Sequence, residues 1–168
     1  MTGRVRGTIA AVALGGVLAL TGCGTNDTAA VVDGNRISAS DAATGAQQIN
    51  KQFPPDVASG GSALTTANAV GLLIYAPTII AFAAETGHPQ SSDAARSQLT
   101  AIQEPNPATI EMVQANNALR SLDQSNITEV LKRIRALKVS VNPRYGTFDA
   151  ANAKLVAVPG PWISTSGT

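Results

Sequence analysis

Several residue types on which protein chemistry often depends are scarce in this chain. Its 168 residues include one cysteine and one histidine, aromatic residues make up 4% of the total, and charged residues make up 14%. A single cysteine excludes an intramolecular disulfide, and zinc or iron–sulfur sites need more cysteine and histidine ligands than the chain has. We therefore expect no metal site and no cofactor. The formal net charge of +1 provides no basic surface for nucleic acid, so we expect no nucleic-acid partner.

Apolar residues are nevertheless plentiful enough to build a core. Hydrophobic residues make up 44% of the chain, and its length suits a single domain. Many of these apolar positions are alanines, so we expect a thin core made mostly of aliphatic side chains.

The N-terminal residues have the layout of a secretory signal. Arg4 and Arg6 precede an uncharged apolar run at residues 7–20, which is shorter than the roughly 20 residues that a membrane-spanning helix needs. The sequence Leu-Thr-Gly-Cys then ends at Cys23 and resembles a bacterial lipobox. The resemblance implies that residues 1–22 are a lipoprotein signal peptide and that Cys23 is alkylated with diacylglycerol. The alternative is an ordinary signal peptide.

Lipidation would place the protein on the outer face of the bacterial cytoplasmic membrane. Two acyl chains such as palmitate give stable anchoring, whereas one chain gives only marginal binding. Residues 23–28 are small and mostly polar, and we interpret them as a tether to the lipid bilayer. Removal of residues 1–22 leaves 10 basic against 11 acidic residues, so the mature chain has a net charge of −1.

The remaining pattern predicts a mainly α-helical domain of about five helices. A small two-stranded β element, from a strand at residues 29–32 and one beginning at Val139, is expected to join the N- and C-terminal ends of the domain. The first strand ends in the turn dipeptide Asp33-Gly34. Ser38 and Asp41 then have the spacing of a helix capping box.

The longest apolar segment of the mature chain predicts a buried central helix. Residues 69–84 contain no charge, include Pro77, and as a helix are about 24 Å long, against a hydrocarbon core of about 30 Å. A second membrane span is the alternative. Further helix starts are predicted at Ser92, Asn106 and Asn126 from their capping side chains.

Three segments resemble the N-terminal domain of the SurA and PrsA group of extracytoplasmic chaperones. They are residues 30–41, with the strand, the Asp-Gly turn and an Ile-Ser pair; residues 72–93, with the apolar helix and the following Ser-Asp; and residues 130–141, a charged amphipathic helix that leads into a strand. The resemblance covers residues 29–146 and leaves residues 147–168 as a C-terminal tail. It implies binding of unfolded or partly folded polypeptide outside the membrane.

The chain departs from the longer members of that group in one respect. Those members carry a parvulin-type prolyl isomerase domain, and only 30 residues follow Lys138 here, too few for such a fold. We therefore expect a non-enzymatic protein. The alternatives are an accessory lipoprotein that holds one specific folded partner and, more remotely, a hydrolase that uses His88. No Gly-x-Ser-x-Gly motif accompanies that histidine.

Apolar side chains give the only candidates for a peptide-binding groove. We select Tyr75, Phe82 and Met112 on apolar character alone. The aromatic residues Tyr145 and Phe148 are expected to pack back on the helices, whereas Trp162 is left open between packing and binding. The basic run at residues 132–138 is interpreted as the solvated face of a helix, with contact to anionic lipid or acidic polypeptide as the alternative.

The lipid anchor gives the first testable prediction. Cys23→Ala removes the thiol that accepts the diacylglycerol, so the protein should leave the membrane fraction or keep its signal peptide. Cell fractionation and intact-mass spectrometry measure both effects, with Asn26→Ala as a control that keeps the motif. A mature wild-type protein without a lipid mass on Cys23 would show that the anchor is wrongly assigned.

Overall fold

The structure is a computed structural model and describes residues 27–157. The predicted signal peptide at residues 1–22, the lipid-anchor residue Cys23, most of the tether and Trp162 lie outside the described residues. Within them the chain is mainly helical, which confirms the predicted fold class. In chain order the elements are β1 (Thr28–Val32), β2 (Asn35–Ser38), α1 (Ala39–Gln52), α2 (Thr66–Glu85), α3 (Ser92–Ser97), α4 (Pro107–Ser121), α5 (Gln124–Arg135), β3 (Val139–Val141), β4 (Thr147–Asp149) and β5 (Lys154–Val156), with one short 3₁₀ turn at Val57–Ser59.

The predicted β element joins the two ends of the helical region. β1 pairs antiparallel with β3, with Ala30 opposite Val141 and Val32 opposite Val139. The sheet has a third strand that the sequence pattern did not predict, because β2 pairs with the other edge of β1. Asp33 and Gly34 have φ values of 47° and 87°, which suit a two-residue type I′ hairpin turn.

Two of the predicted helix starts are confirmed. The hydroxyl of Ser38 accepts a hydrogen bond from the backbone N–H of Asp41 at 3.2 Å and begins α1. The amide oxygen of Asn106 accepts one from Ala108 at 2.8 Å, with Pro107 as the first residue of α4. Local capping chemistry therefore determines these two boundaries.

The other two predicted starts are wrong. Ser91 caps α3 in place of Ser92, since its hydroxyl accepts from the N–H of Ala94 at 3.0 Å. α5 begins earlier than predicted because the carboxylate of Asp123 accepts from the N–H of Asn126 at 2.8 Å. A carboxylate at this position also interacts favourably with the partial positive charge of a helix N-terminus.

α2 lies at the centre of the core, with α1 and α4 packed against it. Its buried residues occur at almost every turn: Ala69, Val70, Gly71, Leu73, Ile74, Ala76, Ile79, Phe82 and Ala83. Alanines recur throughout the core, as the composition predicts, and their small side chains let the helices approach closely. Among residues 27–157, α2 alone is long and apolar enough to cross a membrane, and half of its most apolar window is buried in this fold.

β4 and β5 form an antiparallel hairpin from the first part of the predicted tail. The Phe148 ring lies 6.3 Å from the Tyr75 ring, centre to centre, and Leu155 packs beside Gly71 of α2. Tyr145 also packs on the core, so the predicted packing of both tail aromatic residues is confirmed. The hairpin therefore covers one side of α2.

Two glycines beside this hairpin should respond to alanine with opposite signs. Gly146 has φ +127°, and an added Cβ would meet the carbonyl oxygen of Val156 at 2.5 Å, so G146A should destabilise the fold by about 1–3 kcal/mol. At Gly71 the new Cβ would meet only Leu155, at an ordinary 3.6 Å, so G71A should stabilise the helix by about 0.5–1 kcal/mol. Urea denaturation of the two variants and wild type measures both changes. Equal signs would contradict the packing of the hairpin.

Candidate functional site

An apolar groove lies between α1, α2 and α4 and has a volume of about 460 Å³. Ile49 and Leu64 contribute to it from α1 and the loop before α2, and Met112 and Val113 contribute from α4. Its volume falls within the range of about 300–1,000 Å³ that is usual for ligand sites. The groove is therefore large enough to accept a bulky side chain of a ligand.

Three large apolar side chains remain exposed along this groove. Phe53 is 49% exposed, Leu72 is 43% exposed and Leu119 is 36% exposed. Exposed apolar residues that cluster in one concave surface mark binding sites, whereas scattered ones need no explanation. The groove is thus the strongest candidate for a binding surface in the described part of the chain.

A pair of hydrogen bonds fixes one end of the groove. The side-chain amide of Asn50 donates to the carbonyl of Leu64 at 2.9 Å and accepts from the N–H of the same residue at 2.8 Å. This double contact holds the loop against α1. Phe53 lies nearby as the residue that ends α1, immediately before Pro54 and Pro55. Local structure therefore places two of the apolar groups at the same end.

The rim of the groove is polar and carries one cation. Gln98 lies on one side, and Asn116, Asn117 and Arg120 follow one another along α4. Each side-chain amide offers both donors and an acceptor, which are the groups that pair with a peptide backbone. The combination of an apolar floor and an amide rim suits a polypeptide segment better than a small charged metabolite.

The structure does not bring the three predicted binding residues together. Met112 lines the groove at 4% exposure, but neither Tyr75 nor Phe82 does. Tyr75 packs against Phe148, while the Phe82 ring, 4% exposed, lies 4.6 Å from the guanidinium of Arg133. Phe82 therefore belongs to the core between α2 and α5.

The groove borders a neighbouring part of the same side of α2. Leu72 and Ile79 line the groove, and Tyr75 and Phe82 lie three or four residues from them, where the hairpin and α5 cover the helix. Sequence reasoning missed Leu72 because the whole segment is apolar, so no polar positions distinguish one face from another.

The basic run at residues 132–138 is partly engaged within the fold. Arg133 donates to the carboxylate of Glu85 at 2.7 Å, and Lys132 lies 3.5 Å from the carboxylate of Glu129. Such exposed ion pairs contribute little to stability, typically below about 1 kcal/mol. This arrangement favours the interpretation of the run as a solvated helix face.

A second pocket, of about 340 Å³ and with charged residues among its lining, lies where β2 meets α2 and α4. Arg36, Asp41 and Glu111 line it, together with Pro77. Burial raises the pKa of the Glu111 carboxyl above its ordinary value of 4.5. Within residues 27–157, no three side chains of His, Cys, Asp or Glu are grouped so that they could hold a metal ion.

The single histidine lies at the end of α2. The N–H of His88 donates to the carbonyl of Ala83 at 2.8 Å, and that of Gly87 donates to Ala84 at 3.3 Å. These two bonds form a Schellman motif, with Gly87 in the left-handed conformation (φ 86°) that ends the central helix. The side chain of His88 is exposed in this turn.

Comparisons with known proteins identify no relative of this chain. No protein-family model, no curated protein and no solved structure matches the chain. The resemblance to the SurA and PrsA group therefore stays a prediction that rests on the residues quoted above.

Glu111 should make stability depend on pH in a defined direction. The pKa of Glu111 is higher in the folded chain than in the unfolded chain, so the unfolded chain releases the proton at lower pH. The free energy of unfolding should therefore decrease as pH rises above about 4.5. E111Q should therefore have a higher melting temperature than wild type at pH 7, and the difference should shrink towards zero near pH 4. Thermal melts at both pH values test this, with the exposed Glu104→Gln as control. A difference that grows in acid would contradict the assigned burial.

Proposed function

We propose that the protein is a membrane-anchored extracytoplasmic lipoprotein that binds unfolded or partly folded polypeptide without catalysis. The observation that carries the proposal is the apolar groove between α1, α2 and α4, in which Phe53, Leu72 and Leu119 remain exposed. Binding of apolar client side chains removes both surfaces from water. Each buried leucine-sized group contributes about 1.5–3 kcal/mol to such burial.

The chemistry of the groove favours recognition without strict sequence specificity. Apolar contacts are not directional, and the flexible side chain of Met112 can adapt to different partners. The rim amides of Asn116 and Asn117 can bond to backbone groups that every polypeptide has. A client would therefore be selected by exposed apolar segments, which distinguish unfolded from folded chains.

The predicted anchor supports an extracytoplasmic role. Cys23 lies five residues before the first residue of β1, which corresponds to about 17 Å even for a fully extended chain. A lipid on Cys23 would therefore keep the groove close to the membrane surface. Polypeptides that emerge from the membrane in an unfolded form would be the clients within reach.

Substitutions in the groove test the proposed binding. L72D and L119D each place a charge among apolar groups, so each should weaken binding about tenfold, equivalent to about 1.4 kcal/mol. The measurement is fluorescence anisotropy of a labelled, permanently unfolded polypeptide with the chain from residue 24 onward. The matched control is L131D, because Leu131 is 37% exposed and lies outside the groove.

Two outcomes would contradict the proposal. One is a wild-type chain that neither binds the unfolded polypeptide nor suppresses aggregation of a denatured client. The other is an equal loss of binding in L131D, which would show that the groove has no special part. Cross-linking in cells separates the alternative function: one dominant folded partner indicates an accessory lipoprotein, and many clients indicate a chaperone.

A further inference from the structure

One face of α4 forms a long side of the groove. Residues at the spacing i, i+3, i+4 and i+7 share one face of a helix, and four such residues of α4 line the groove: Val113, Asn116, Asn117 and Arg120. An apolar stripe runs beside them and also lines the groove: Met112, Ala115 and Leu119. The first stripe therefore changes from an apolar side chain to hydrogen-bonding ones towards the C-terminal end of α4, while the second stays apolar.

The hydrogen-bonding end of this face is positively charged. Arg120 is exposed in the last turn of α4. Among the described residues that line the groove, none is an aspartate or a glutamate. The second pocket, by contrast, has the carboxyl groups of Asp41 and Glu111 in its lining. The groove therefore presents a positive charge that no acidic residue of its own lining balances.

The guanidinium of Arg120 is available to a ligand. No ion pair within residues 27–157 includes it, whereas Arg133 is paired with Glu85. A cation in the last turn of a helix also stabilises that helix, but this attraction does not consume the five N–H donors of the side chain. A role at the helix end and a role in binding are thus compatible.

A carboxylate is the group that matches these donors. Arginine binds both oxygens of a carboxylate through two parallel hydrogen bonds. The amides of Asn116 and Asn117 lie one turn before Arg120, where residues three and four apart are neighbours on the helix surface. Leu119 directly precedes Arg120 and is 36% exposed, so an apolar ligand group on it would exclude water beside the guanidinium. Exclusion of water strengthens a charge-assisted hydrogen bond.

We propose that the groove selects apolar polypeptide segments that carry an aspartate or a glutamate, and that Arg120 recognises the acidic side chain. This inference rests on the proposed function and adds a charge preference to it. From Met112 to Arg120 the helix rises about 12 Å, which an extended chain covers in about four residues. A client should therefore carry the acidic residue within about four residues of a large apolar one.

Three matched peptides measure the charge preference. Each is unstructured, acetylated and amidated, each contains one Leu-Phe pair, and they differ only in a glutamate, glutamine or lysine placed three residues from that pair. The protein is the chain from residue 24 onward, which keeps every described helix and strand. At pH 7 and low salt it should bind the glutamate peptide about fivefold more tightly than the glutamine peptide, as expected for an ion pair of about 1 kcal/mol. The lysine peptide should bind most weakly, and the differences should shrink at about 1 M salt, where exposed charges are screened.

Two substitutions assign the preference to one side chain. R120Q should remove the difference between the glutamate and glutamine peptides, and R120E should reverse the order so that the lysine peptide binds best. The matched control is R135E, which makes the same change in net charge at an exposed arginine of α5 outside the groove and should keep the wild-type preference. Fluorescence anisotropy gives each affinity, and circular dichroism verifies the fold. A variant that merely loosens α4 would weaken all three peptides alike and leave their ratios unchanged.

The outcomes separate this inference from the proposed function. Equal binding of the three peptides by the wild-type chain overturns the charge preference and leaves the proposed function standing, whereas binding of none of them overturns both. A preference that survives R120Q, or that R135E removes equally, overturns the assignment to Arg120. A glutamine peptide with a free C-terminus that binds as tightly as the amidated glutamate peptide shows that chain ends are recognised, and it overturns the assignment to an acidic side chain.

Discussion

Residues 66–84 of helix α2 are nineteen uncharged residues in succession, and residues 69–84 are almost all apolar, so the helix presents apolar surface in nearly every direction around its axis. A helix of this kind must be covered on several sides at once, and no single neighbour can do so. α1 and α4 cover one sector, α5 covers the region around Phe82, and the β4–β5 hairpin covers Gly71 and Tyr75. The order of elements in this fold can be understood as successive layers around α2. The groove is the sector in which Leu72 remains exposed.

The β1–β3 pairing completes that arrangement. It ties the residue before the helices to the residue after them, because Ala30 lies opposite Val141 across more than a hundred positions of sequence. The carboxylate of Asp33 also accepts a hydrogen bond from the N–H of Lys138 at 2.9 Å. The pairing of β1 with β3 therefore joins the two ends of the helical region. It restrains the helices that pack around α2.

Sequence reasoning succeeded where the signal is local. Ser38 and Asn106 each cap a helix through hydrogen bonds to residues two or three positions away, and Asp33-Gly34 is a dipeptide that suits the positive φ values of its turn. Sequence reasoning failed where two nearby residues could each cap the same helix. Asp123 and Asn126 are both good capping residues, and in the structure Asp123 is the one that caps α5.

The groove could not be located from sequence for a related reason. A face of a helix is recognised by its contrast with a polar face, and α2 has no such contrast over the apolar stretch. Whether Leu72 or Tyr75 faces solvent depends on where α4 and the hairpin sit, which involves residues far along the chain. Selecting aromatic side chains on apolar character favoured Tyr75 and Phe82, and both turned out to be covered by neighbours.

The exposed groove is difficult to explain as a defect of packing. Alanines make up much of the core, so this sequence has few large apolar side chains. Three of them nevertheless lie partly exposed along one concave surface. Smaller or polar residues at Phe53, Leu72 and Leu119 would leave the buried contacts of α2 intact, because these side chains lie at the edge of the core. An exposed apolar surface also favours self-association, which is a cost for any soluble domain. The proposed binding role for the groove would account for that cost.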